Sequence, residues 1–156
     1  MANELDDYLN QQQQQKQKQA AEQAAKQEAE ENAIHAFNNA FKDLRDTLIY
    51  PTMVAHLDNL RKHGTSAHVH NIKMKDGYHH QSYYIAKGNR NSIISVLGNY
   101  HKKKVCVDTE YFEFIQTDQQ NKSYHKTEQQ HDLAEITPAL LETIVLNAIK
   151  QLASES

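Results

Sequence analysis

Ten histidines stand in a chain of 156 residues, and imidazole is both the commonest metal ligand and the side chain whose charge changes near neutral pH. His68-Val69-His70 has the i, i+2 spacing that sends two side chains to one face of a β-strand. Asp76-Gly77, a few residues on, is a strong signal for a tight hairpin turn. A two-residue loop there sets Met74 opposite His79, Ile72 opposite Gln81, His70 opposite Tyr83 and His68 opposite Ile85. In that register His79 shares a face with His68 and His70, and three protein ligands plus water make an open zinc site. His68, His70 and His79 are therefore the candidate metal set. No HExxH accompanies them and no carboxylate is placed by sequence to join them. Histidines on a half-exposed hairpin, or one stacked on Tyr83, are the plainer account, and no cofactor is expected.

Other chemistry finds less material. The chain has no GxSxG elbow, no GxxxxGK[ST] and no GxGxxG, so neither nucleophilic catalysis nor phosphate cradling has a motif. Asp108 and Glu110 share one face of a strand, where acidic residues ordinarily mark the solvated side. Cys106 is the single cysteine. It excludes an intramolecular disulfide and a Cys-based zinc set; lying between Val105 and Val107, it reads as a buried thiol in the core.

The net charge of −3 hides an asymmetry. Residues 64–106 hold 7 Lys and Arg against Asp76 alone, whereas residues 107–156 hold 3 against 9 Asp and Glu. The basic segment carries Lys73, Lys75, Lys87, Arg90, Lys102, Lys103 and Lys104, interleaved with Tyr78, Tyr83, Tyr84 and Tyr100. Cations and aromatics on β-ribbons track phosphates and stack bases, so these lysines, Arg90 and Tyr100 form a candidate nucleic-acid surface. The alternative is that basic and acidic segments neutralise each other within the fold or across a dimer.

These residues need elements to position them. Residues 1–31 form a polar arm rich in Gln, Ala, Lys and Glu, helical or disordered. Residues 32–156 read as a single α+β domain. Large apolar side chains are missing from the a and d places of the arm, so it lacks the seam of a tight coiled coil. Then Ile34, Phe37, Phe41, Leu44 and Leu48 recur at spacings of 3, 4, 3 and 4, which aligns them on one helical stripe. That stripe is a core face or a helix-to-helix seam in a dimer. Pro51 predicts a kink or break. A second helix through Met53, Leu57 and Leu60 stops near His63, with Gly64 as its cap.

Beyond Ser66 the period shifts toward two. Strands are expected on both sides of Asp76-Gly77, over Ser92–Leu97 and over Val105–Ile115, with Val105, Val107, Tyr111, Phe112 and Phe114 as core candidates. A further edge strand within Lys122–Thr127 is weakly marked, so about four antiparallel strands are expected. Thr137-Pro138 opens a C-terminal helix whose Leu140, Leu141, Ile144, Val145, Ala148, Ile149 and Leu152 need cover. Laying that helix on the sheet beside the Ile34 helix gives a two-layer α+β architecture.

No apolar run is long enough to span a bilayer and the first residues lack a secretory pattern, so a cytoplasmic protein without membrane contact is expected. The functional expectation is a non-enzymatic protein-interaction module, adaptor-like or chaperone-like, that holds a protein partner or itself as a homodimer. Nucleic-acid binding and histidine-based metal binding are the alternatives.

Overall fold

The residues from Asn10 to Glu31 are nearly all good helix formers, and they lie inside one long helix. A computed structural model describes residues 3–73 and 79–153, the side chains of 71–73, 79 and 80 excepted. The Asp76-Gly77 turn, with Met74, Lys75 and Tyr78, lies outside the described residues. Two compact units result, Met1–Phe37 and Asn38–Ser156.

Helix α1 spans Glu4–Leu44, and within the first unit every residue from 3 to 32 is exposed. Its first turn carries Glu4, Asp6 and Asp7, which oppose the positive end of the helix dipole.

The second unit is an α+β fold. Five strands, β1 (Ser66–Lys73), β2 (His79–Lys87), β3 (Arg90–Asn99), β4 (Lys104–Ile115) and β5 (Gln120–His131), pair antiparallel in the order of the sequence. Helix α2 (Tyr50–Lys62) lies beside β1, and α3 (Pro138–Ala153) packs on β2 and β3. The helices cover one face. On that face Ala67, Tyr83, Ile85, Ile94, Val96, Val105, Val107 and Tyr111 are buried, as are Met53, Leu57, Leu141, Ile144, Val145 and Ala148 of the helical layer.

The helix boundaries follow local chemistry. Gly64 takes φ +85, which a side chain would resist, and the amides of Gly64 and Thr65 donate to the carbonyls of Arg61 and Leu60. This pair of bonds ends α2 at Lys62. The Thr137 hydroxyl accepts the Leu140 amide at 3.2 Å, opening α3 with Pro138 in its first turn.

Between α1 and α2 the helix widens where a kink or break at Pro51 is expected. Residues Arg45–Ile49 form a π turn, in which the Tyr50 amide donates to the Arg45 carbonyl five residues back. In an unbroken α-helix the Pro51 ring would press on the carbonyl of Thr47; the wider turn absorbs it. The stripe also changes phase. At about 100° per residue Leu48 falls within about 20° of Phe41, and Ile49 about 80° away. The π turn adds one residue, which returns Ile49 to the stripe and turns Leu48 off it. Accordingly Ile49 is fully buried, Leu48 is half-buried, and Met53 and Leu57 continue from Ile49 at intervals of four.

The sheet holds a strand more than the expected four. β5 covers most of the polar stretch from Gln116 to Asp132, and every residue from Gln120 to Gln130 is exposed, on both faces. The helical layer does not cover it.

Cys106 is half-exposed and outside the core. Its neighbours Val105 and Val107 are both buried on the helix side, and strand alternation then obliges the residue between them to face the other way. The same alternation buries Tyr111 and leaves Phe112 half-buried; Phe114, further along β4, is exposed.

Candidate functional site

The face of the sheet away from the helices is where the chemistry-bearing residues gather. Its rows follow from the ladder: His68 opposite Tyr84, Tyr84 opposite Ile93, Ile93 opposite Glu110, Glu110 opposite Lys126. The next row is His70, Ser82, Ser95, Asp108 and Glu128. Ser82 Oγ and Ser95 Oγ are 3.1 Å apart, which joins the middle of that row.

His68 and His70 do share a face, both exposed, with ring centroids 6.4 Å apart. His68 lies on Tyr84, at 4.6 Å between centroids, where a stack on Tyr83 is expected from the sequence. The ladder differs from the two-residue-loop register by one position: Lys73 pairs with His79, and His70 with Ser82. That slip exchanges the faces of β2 relative to β1. It sets position 79 in the row series of Tyr83 and Ile85, opposite Lys73, and position 80 in the series of His68 and His70. The side chain of His79 is outside the described set. Among the described residues no group of three His, Cys, Asp or Glu side chains is placed to hold a metal ion.

The basic residues are distributed over both ends of the sheet. Lys87 and Arg90 flank the β2–β3 turn, whereas Lys102, Lys103 and Lys104 lie at the β3–β4 turn, the far end of β3. At ~3.4 Å per residue the ends are roughly 30 Å apart, several screening lengths at physiological salt. Lys73 ends β1 at the Lys102 end, and Lys75 is outside the described residues. Arg90 has its Nε 3.7 Å from a Glu113 carboxylate oxygen and its guanidinium 5.4 Å from the Tyr124 ring centroid. Lys104 is ion-paired with Asp132; the pair raises the lysine pKa and lowers that of the carboxylate. Tyr100 packs against His101, with centroids 4.3 Å apart.

Along the helical stripe Phe37 is 5% and Phe41 9% exposed, while Ile34, Leu44 and Leu48 are half-buried. Gly98 on β3 makes room for Phe41: a Cβ there would stand 2.9 Å from the ring.

The outer rows of the open face carry most charge. Lys126 Nζ is 3.2 Å from a Glu128 oxygen, and that bond raises the lysine pKa, helped by Asp108 and Glu110. Glu128 itself stands opposite Asp108 across the β4–β5 ladder, a like-charge juxtaposition. Burial pushes the Cys106 thiol pKa up and Asp108 adds to it, while Lys102 and the Asn99 amide pull the other way. A wide, shallow depression of about 490 Å³ also lies between α2 and α3, lined by Pro51, His56, Pro138 and Glu142 among others.

The sequence did not reveal β5 as a full strand, nor with it the placement of Lys126 and Glu128 on the outermost strand of the sheet. The signal available was thin: Tyr124 and Thr127 are its only residues with strong strand preference. No family model, no curated protein and no solved structure matches this chain.

Proposed function

We propose that the protein is a non-enzymatic interaction module that works as a homodimer and holds protein partners. The observation that carries this reading is β5: a strand of 12 residues, exposed on both faces from Gln120 to Gln130, with β4 as its only ladder neighbour among the described residues. A long free edge is a template for another chain. Exposed Leu5, Tyr8 and Leu9, at i, i+3 and i+4 on α1, supply a second apolar contact point.

The nucleic-acid alternative draws less support. Its cations are divided between two ends of the sheet, and Arg90 and Lys104 are engaged with Glu113 and Asp132.

Light scattering on the purified full chain tests the reading. A mass twice that of the chain, holding at moderate salt and at tens of micromolar protein, is the expected result. A strict monomer at ~100 µM refutes self-association; nucleic-acid retention that collapses between low and moderate salt would transfer support to the alternative.

A further inference from the structure

We propose that two copies of this chain join β5 to β5, antiparallel, about a two-fold axis at Thr127, so that one sheet runs continuously through both. This rests on the self-association proposed above and names its surface and register.

The argument begins with the pleat. Residues directly opposite each other in an antiparallel ladder point to the same face, and a two-fold axis normal to the sheet leaves faces unchanged. A symmetric pairing therefore needs one residue facing its own copy. Between Tyr111 and Phe112 the β4–β5 register shifts, and Tyr124 is left over in β5. A bulge of this kind bends the strand. Regular pairing then falls into two stretches, residues 120–123 and 125–131, and the longer one has room for more facing pairs about an axis at one of its residues.

Charge selects among them. An axis at Lys126 or at Glu128 sets like charges face to face. An axis at Gln129 pairs Glu128 with Gln130 and Thr127 with His131, and forms no ion pair. With the axis at Thr127, Lys126 of each copy lies opposite Glu128 of the other, twice over. Position also favours this choice. Glu128 has Asp108 as its neighbour on the β4 side and its own Lys126 at 3.2 Å along the strand, so the other copy's Lys126 adds a second cation to a cluster that holds Asp108, Glu110 and Glu128. Thr127 at the axis is a good strand former and exposed.

The test uses the full chain in two forms. In a Cys106→Ser background, Thr127→Cys places two thiols at facing positions, with Cα atoms about 4.5–5.5 Å apart, within disulfide reach. Mild oxidation should link it into a dimer at least tenfold faster than Ser123→Cys, whose copies stand roughly 27 Å apart in this register at ~3.4 Å per residue. Separately, Glu128→Lys relieves the Asp108 contact and removes the Lys126 ion pair within its own chain, and it opposes Lys126 of the other copy. Its dimer should weaken at least tenfold, as should that of Lys126→Glu. An equimolar mixture of the two should form a mixed dimer of wild-type strength, since every facing pair is then opposite in charge.

A wild-type monomer at ~100 µM overturns this proposal together with the self-association it rests on. A wild-type dimer that both charge variants retain unchanged, or equal cross-linking at positions 123 and 127, overturns the register and leaves the interaction module standing.

Discussion

Replacing Ile49 and Leu48 separately with Ala gives the sharpest check on the helix register, because a continuous α-helix and the π turn predict opposite orders of damage. In the structure Ile49 is fully buried and Leu48 half-buried. Truncating a buried Ile to Ala costs about 2–5 kcal/mol, the lost transfer energy plus the cavity left behind. For Leu48 only part of the side chain leaves water and Ala is the better helix former, so the expected cost is about 1 kcal/mol. Urea unfolding followed by circular dichroism resolves this difference. With m about 2 kcal/mol/M for a small domain, Ile49→Ala should lower the midpoint by roughly 1–2.5 M and Leu48→Ala by about 0.5 M. A larger loss for Leu48→Ala than for Ile49→Ala would restore the α-helical register and refute the reasoning.

The other predictions concern packing, titration and the arm. Gly98→Ala should destabilise the fold by about 1–3 kcal/mol, since its Cβ would stand 2.9 Å from the buried Phe41 ring; a neutral thermal shift would show the contact is slack. The thiolate is the species that reacts with alkylating reagents, and burial with Asp108 raises the Cys106 pKa above its ordinary 9.0. The rate of iodoacetamide labelling should therefore rise with pH to a midpoint above that value, and Asp108→Asn should bring the midpoint down. A midpoint at or below 9.0 contradicts the assignment. Deleting residues 1–31, every described one of them exposed, should change the melting temperature by less than about 2 °C, below half a kcal/mol at the usual conversion. A drop of 8 °C or more in calorimetry would mean that the arm supports the second unit.

Much of the fold was legible because its signals are local or strictly periodic. The Gly64 cap, the Thr137-Pro138 helix start and the Ser92–Leu97 run each contain their own cause. The departures arise where one residue changes a phase. The extra residue of the π turn moved Leu48 out of the stripe and Ile49 in, and apolar spacing cannot reveal it because the two are adjacent. Likewise the ladder slip between β1 and β2 relocated position 79, since a turn dipeptide identifies a hairpin without fixing how many residues its loop contains. Cys106 shows a different failure: residue type suggested burial, whereas alternation between two buried valines already required the opposite face. β5 was obscure for a third reason. A strand solvated on both sides has no amphipathic pattern to display, and its extended form comes from β4's ladder.

That dependence governs how the sheet opens. A segment with solvent above and below, held by a single row of backbone bonds, contributes little to the buried core and loses little of it by detaching. Local stability follows such differences, from near zero at solvated margins up to the global value in the core. In hydrogen exchange at a dilution that separates the proposed dimer, the amides of β5 should therefore be the first of the sheet to take up deuterium, well ahead of β3, and pairing of two copies at higher concentration should slow them. In the single chain the last strand is thus the unit expected to open separately, and pairing with a second copy is what would hold it closed.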